Sequence, residues 1–161
     1  MNNRSSASYV ALALIALPFF ATAADDTAKP IAVELKSFTF KVPERQADLF
    51  GYDANEDRLF FYTNGTGEAK VKVPDDADYE IVIKASGDLA LKEGAKFKVA
   101  VDGKQTGKET ETTAESKEYK FPTPLKAGEH KLSIEFTNDI FKEGEYDRNL
   151  YVHAVSLKKG K

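Results

Sequence analysis

Apolar and polar residues alternate along most of this chain with a period of two. Tyr79, Ile81 and Ile83 fall on one face of a predicted strand, and Phe97, Val99 and Val101 on one face of another. Leu132, Ile134 and Phe136 alternate cleanly with Lys131, Ser133 and Glu135. Shorter strands are predicted over Leu59–Thr63, closed by the turn signal Asn64-Gly65, and over Ala69–Val73, which stops at Pro74-Asp75-Asp76. Asp102-Gly103 marks a tight turn after Val101. Glu118–Phe121 reads as a short strand stopped by Pro122 and Pro124, and Asn149–Leu157 as the closing strand. Ile31–Lys41 alternates weakly and predicts one or two edge strands. Val42–Asp57 reads as a long polar loop, and Lys104–Lys117 as a charged, Thr-rich segment without regular structure.

No segment after the N-terminus sustains a helical period. Eight or so short strands separated by turn signals predict an all-β chain folded as a β-sandwich. Its core is expected from Tyr79, Ile81, Ile83, Phe97, Val99, Leu132, Ile134 and Phe136. No internal repeat is visible.

The N-terminus has its own pattern. Arg4 precedes an apolar run from Tyr9 to Phe20, followed by the small-x-small site Ala21-Thr22-Ala23. This predicts a signal peptide over residues 1–23 and an exported protein, periplasmic or extracellular. Twelve apolar residues are too few to span a bilayer. No Cys follows the run to carry a lipid anchor. Cleavage would leave 138 residues, enough for one domain: an extension over 24–57 joined to a sandwich over 58–161. The net charge of −3 is spread among interspersed acids and bases, which argues against nucleic acid or a membrane surface as partner.

Candidate chemistry concentrates near the C-terminus. The run that ends at Phe136 is followed by Asn138-Asp139, then a short acidic loop with Gly144, then Tyr146-Asp147-Arg148-Asn149-Leu150-Tyr151-Val152. Two carboxylates on a loop pinned by strands suit a hard cation, which takes oxygen ligands from carboxylates, carbonyls and water. On residue type alone, both aspartates could equally be turn formers.

Asn138-Asp139 and Asp147-Arg148-Asn149-Leu150-Tyr151-Val152 resemble the signature of calcium-dependent xylan-binding modules, families 36 and 60 among the carbohydrate-binding modules. Weaker matches upstream run in the same order: Ala85-Ser86-Gly87, Val99–Gly103 and Leu125–His130. The resemblance spans roughly residues 58–157 and implies a jelly roll that binds polysaccharide through Ca²⁺. It further implies that Asp139, Asp147 and the Tyr146 carbonyl hold the metal, whose shell two vicinal sugar hydroxyls complete. Asp88 and Glu93, in the acidic loop after Gly87, are then candidate third and fourth carboxylates. Asn138, Arg148 and Asn149 read as structural: Arg148 would orient carboxylates, and Asn149 would satisfy loop backbone groups. Members of the family commonly carry a Trp near the metal, and this chain has none.

Phe141, Tyr146 and Tyr52 are the loop aromatics placed to stack on sugar rings. Phe60, Phe61, Tyr62, Phe97, Phe136 and Tyr151 are expected mostly in the core. Asp53-Ala-Asn55-Glu-Asp57 begins like the calcium loop of a helix-loop-helix. Arg58 replaces its Gly, however, and Asn64 its bidentate Glu. His130 and His153 lack a Ser or Cys at motif spacing, so no catalytic machinery is predicted. The sequence therefore points to a non-catalytic glycan-binding module, acting alone or beside a separate glycan-active enzyme. The competing reading is an interaction protein in which Ca²⁺ only rigidifies a loop.

Overall fold

The computed structural model describes residues 29–41 and 44–160, so the predicted signal sequence lies outside the described residues. Two antiparallel sheets pack face to face. The first has the order β3 (Phe50–Asp53), β4 (Arg58–Phe61), β13 (Leu150–Lys159), β6 (Ala77–Gly87), β9 (Lys117–Leu125), with β1 (Ile31–Val33) also pairing with β13. The second runs β2 (Thr39–Phe40), β5 (Gly65–Val73), β10 (Gly128–Phe136), β7 (Lys96–Val101), β8 (Lys104–Glu111). A two-stranded hairpin, β11 (Phe141–Lys142) and β12 (Tyr146–Asp147), projects between β10 and β13. The chain crosses repeatedly between the two sheets, and the architecture is a jelly-roll β-sandwich.

The core follows from the alternation. Ile81, Ile83, Phe97, Val99, Leu132 and Ile134 are fully buried, and Tyr79 and Phe136 nearly so. Phe61 and Leu59 join them from β4. Burying one such side chain stabilises the fold by roughly 1.5–3 kcal/mol. With no cysteine in the chain, this apolar interior carries the fold.

Three segments differ from the sequence expectation. Val42–Asp57 is not a long loop: a 3₁₀ turn (Glu44–Leu49) leads into β3. Phe50 and Tyr52 alternate there, and Phe50 packs edge-on against Phe61 at 6.1 Å. Lys104–Lys117 is not structureless, because β8 occupies Lys104–Glu111. As an edge strand it buries only Thr106, so backbone pairing with β7 forms it without an apolar stripe. Pro122 and Pro124 do not stop β9 either. That strand lies at the sheet edge, where a residue without an N–H is tolerated.

Candidate functional site

Register builds the site. Leu150 at the start of β13 pairs with Gly87 at the end of β6 and with Phe61 at the end of β4. The next residues out are therefore Asn149, Asp88 and Tyr62, brought together at one end of the sandwich. Gly87 is required there: a Cβ would run into Thr112 Oγ1 and meet the Asn149 carbonyl at 2.9 Å. From the second sheet, Phe136 pairs with Phe97 and with Gly65, which delivers the Asn138-Asp139 segment to the same end.

Asp139 is set by the corner between β4 and β5. Thr63 Oγ1 donates to its Oδ2 at 2.8 Å, and its own N–H donates to Asn64 Oδ1 at 2.8 Å. Its Oδ1 is buried with no hydrogen-bond partner. Asn149 donates from Nδ2 to Asp88 Oδ2 at 3.0 Å and to Asp147 Oδ2 at 3.1 Å, and its Oδ1 is likewise buried without a partner. Tyr151 donates to Asp88 Oδ2 at 2.9 Å. Burial above all, then that bond and the Asp88 charge, push the Tyr151 phenol well above its usual value, so it stays a donor.

These groups line one open pocket of about 560 Å³, walled by Leu49, Tyr62, Thr63, Asp139, Phe141, Asp147, Asn149 and Tyr151. Phe141 is 66% exposed and Tyr62 37%. Tyr62 and Tyr151 meet edge-on at 6.4 Å, and the Arg58 guanidinium lies 4.3 Å from the centre of the Tyr151 ring.

The structure thus brings Asp139 and Asp147 to one pocket, links Asp88 to Asp147 through the Asn149 amide, and leaves Glu93 off the pocket wall. The Glu93 carboxylate faces Arg148 at 3.5 Å and Lys96 at 3.7 Å, which gives it cationic partners of its own. Among the described residues no three Asp, Glu, His or Cys side chains cluster as a metal site, so the four-carboxylate arrangement does not form. The oxygens present are instead those of two aspartates, one buried carboxamide and the backbone around Tyr146. Hard-cation sites accept such mixed sets.

Arg148 pairs with the Glu93 carboxylate and not with Asp139 or Asp147. Its guanidinium is buried and donates to the carbonyls of Ala90 (2.6 Å), Asn138 (2.7 Å) and Glu93 (3.3 Å), tying two loops under the pocket. Asn138 staples the same loops: its Oδ1 accepts from the Lys96 N–H and its Nδ2 donates to the Gly94 carbonyl. Asn149 departs from its expected part, since its amide binds carboxylates and not loop backbone.

The stacking candidates divide as well. Phe141 lines the pocket, while Tyr146 is half-buried on β12 and not among the wall residues. Tyr52 lies away on β3, donating to Asp57 Oδ1 at 2.9 Å. Tyr62 and Tyr151, assigned to the core by sequence, are pocket walls because they sit where β4 ends and β13 begins. Sequence reasoning also missed Leu49, Thr63 and Asn64, whose one local signal was the Asn64-Gly65 turn. The Asp53–Asp57 segment forms the β3–β4 turn, with Asp53 Oδ1 accepting the N–H groups of Asn55 and Glu56. His153 does find a serine, Ser86 Oγ at 2.8 Å from Nε2. Ser86 lies near the end of β6, however, paired with Tyr151 of β13 and buried, and is no exposed nucleophile.

The class of protein follows from comparison. A family model described as a Ca-dependent, xylan-binding carbohydrate-binding module matches residues 80–161, and the chain belongs to that family, number 60. Solved structures with the same fold include three modules of neighbouring families. A family 35 module from Clostridium thermocellum has a TM-score of 0.54 at 11% identity, covering 83% of this chain and 100% of that one. A family 36 domain of a multidomain xylanase from the hindgut metagenome of Trinervitermes trinervoides has 0.58 at 11% identity, covering 83% and 98%. A family 36 module in complex with calcium and xylotriose has 0.52 at 13%, covering 80% and 97%. Identities this low speak to the fold. No curated protein matches the chain.

Proposed function

We propose that this protein is an exported, non-catalytic polysaccharide-binding module in which Ca²⁺, held by Asp139, Asp147 and the Tyr146 carbonyl, recognises vicinal hydroxyls of a xylan-like glycan. The observation that carries the reading is the buried, partnerless Oδ1 of Asp139, a residue that lines the same aromatic-walled pocket as Asp147. A buried carboxylate oxygen with no donor is costly, and a cation removes that cost. The bound ion supplies a positive centre that hydroxyl oxygens can approach. Phe141 and Tyr62 offer ring faces to the apolar C–H patches of neighbouring sugars. A cation serving only to rigidify the loop would be walled in, whereas this pocket opens beside the 66%-exposed Phe141. Export is supported by Arg4, the Tyr9–Phe20 run and the Ala21-Thr22-Ala23 site. A non-catalytic role is supported by the matching family model, which describes a carbohydrate-binding module. A glycan-active enzyme is a natural companion, attached or separate.

The test is binding to a panel of xylans, mannans and β-glucans, with calcium and with chelator. Binding to a xylan-type polymer is expected in calcium only, and Asp147→Ala should abolish it while far-UV circular dichroism is unchanged. Equal binding in chelator would overturn the reading.

A further inference from the structure

The two partnerless oxygens differ in kind. One belongs to Asp139, an expected ligand; the other belongs to Asn149, a residue expected to satisfy loop backbone groups. Asn149 is only 6% exposed. Its Nδ2 sits between two carboxylates, 3.0 Å from Asp88 Oδ2 and 3.1 Å from Asp147 Oδ2. Turning the amide over would place its oxygen against both anions, so these two bonds fix its orientation. The Oδ1 is then committed to a buried position where no protein donor reaches it, in a residue that lines the pocket.

Asp88 is engaged differently. One of its oxygens, Oδ2, accepts from both Asn149 Nδ2 and Tyr151 Oη. Asp88 does not line the pocket. It is placed as a brace behind a ligand.

We infer that Asn149 binds the cation through Oδ1, and that Asp88 with Tyr151 is a positioning pair that aims it. This rests on the calcium reading given above. A neutral carboxamide oxygen suits Ca²⁺, which takes side-chain and backbone carbonyls alongside carboxylates. Partners one layer behind a ligand fix its direction and tune affinity. Family likeness had suggested Asp88 as a ligand and Asn149 as scaffold; the hydrogen bonds reverse the two.

Terbium luminescence decays in H₂O and D₂O count the waters on a bound lanthanide, and calorimetry gives the calcium affinity. Asn149→Ala should add one inner-sphere water and weaken calcium by tenfold or more, about the loss seen for key metal-site partners. Asp88→Asn, which can still accept both hydrogen bonds, should hold the wild-type water count with only a several-fold weaker affinity. A second measurement needs no variant. On adding Ca²⁺ to the wild type, the carboxamide ¹³C signal of Asn149 should move, while that of Asn138, whose amide is already satisfied by Lys96 and Gly94, stays. An Asn149 signal that stays still while calcium binds overturns the assignment, as does an extra water in Asp88→Asn. A wild type that takes up neither calcium nor terbium defeats the calcium reading itself, an outcome distinct from these.

Discussion

The two ends of the sandwich use the same residue types for opposite purposes. At the end away from the pocket, turn aspartates are fully engaged. Asp76 accepts the Ala127 N–H at 2.7 Å and Lys126 Nζ at 2.9 Å. Asp102 accepts the Lys131 N–H at 2.8 Å and meets His130 Nδ1 at 2.7 Å. At the pocket end, the ion pairs formed among the described residues include none of Asp88, Asp139 or Asp147. One Asp139 oxygen has no donor at all. An aspartate in a turn is therefore uninformative. An aspartate whose oxygen is buried and left over is the one that calls for a ligand in the proposed reading.

The largest test of this contrast swaps one carboxylate at each end. Asp139→Ala should lower calcium affinity by at least about a hundredfold, because it removes a charged oxygen from a small set. It should also cancel the calcium-induced rise in melting temperature, worth about 2.7 kcal/mol at a hundredfold excess of ion over its dissociation constant. Asp102→Asn should leave calcium binding unchanged. Equal calcium responses in the two variants would erase the distinction between the ends.

Arg148→Met comes next in size. It strips three loop carbonyls of a charged donor, at roughly 1.5–3 kcal/mol for such a bond and without complete additivity. Loss of several degrees in melting temperature is expected even in chelator, with weaker calcium binding as the two loops loosen. Chemical denaturation with and without calcium separates these effects. A variant as stable as wild type would show that the loops stand without their tie.

The contrast also explains what could be read from the sequence. Strands such as Leu132-Ile134-Phe136 announce themselves because one face is core and the other is water. Asp139 and Asp147 stood out because the motif around them is local. What escaped was assembled by register. Tyr62 and Tyr151 look like core aromatics in a strand pattern, and only the Leu150–Phe61 pairing shows both at an open end. Thr63 reaches Asp139 across 76 residues. Glu93 and Asp88 look alike in sequence, and the buried Arg148 separates them by drawing Glu93 away. β8 was invisible because an edge strand needs no apolar stripe.

A smaller effect divides the pocket itself. Phe141→Ala should weaken polysaccharide binding by about five- to thirtyfold, the scale of one aromatic contact of about 1–2 kcal/mol. Calcium affinity should not change, because the ring is exposed and offers no oxygen. Affinity gels for the glycan and calorimetry for the ion read the two separately. A parallel loss of calcium would mean that Phe141 shapes the metal loop instead of contacting sugar.

The smallest predicted effect lies at the far end and concerns pH. The Asp102 bond, then the Lys126 carbonyl, raise His130 above its usual 6.5. The Lys131 N–H, then His130, lower Asp102 below 3.8. A raised histidine contributes fully below 6.5 and loses its contribution as pH rises through the folded value. A lowered aspartate contributes above 3.8 and loses its contribution as pH falls through its folded value. Together they favour a window from about pH 4 to 6.5. His153 opposes this: burial, then the Arg58 and Lys84 charges, lower it, so its contribution appears only as pH rises. Wild-type stability alone would blur the two. The informative quantity is the difference between wild type and His130→Gln, since His153 is common to both. The variant should be less stable at pH 5, by no more than about 1 kcal/mol for a pair this close to solvent, and should converge with wild type above the folded value of His130. Melting curves from pH 4 to 9 in saturating calcium measure it. A difference that grows with pH would have the wrong sign and would remove His130 from the turn's electrostatics.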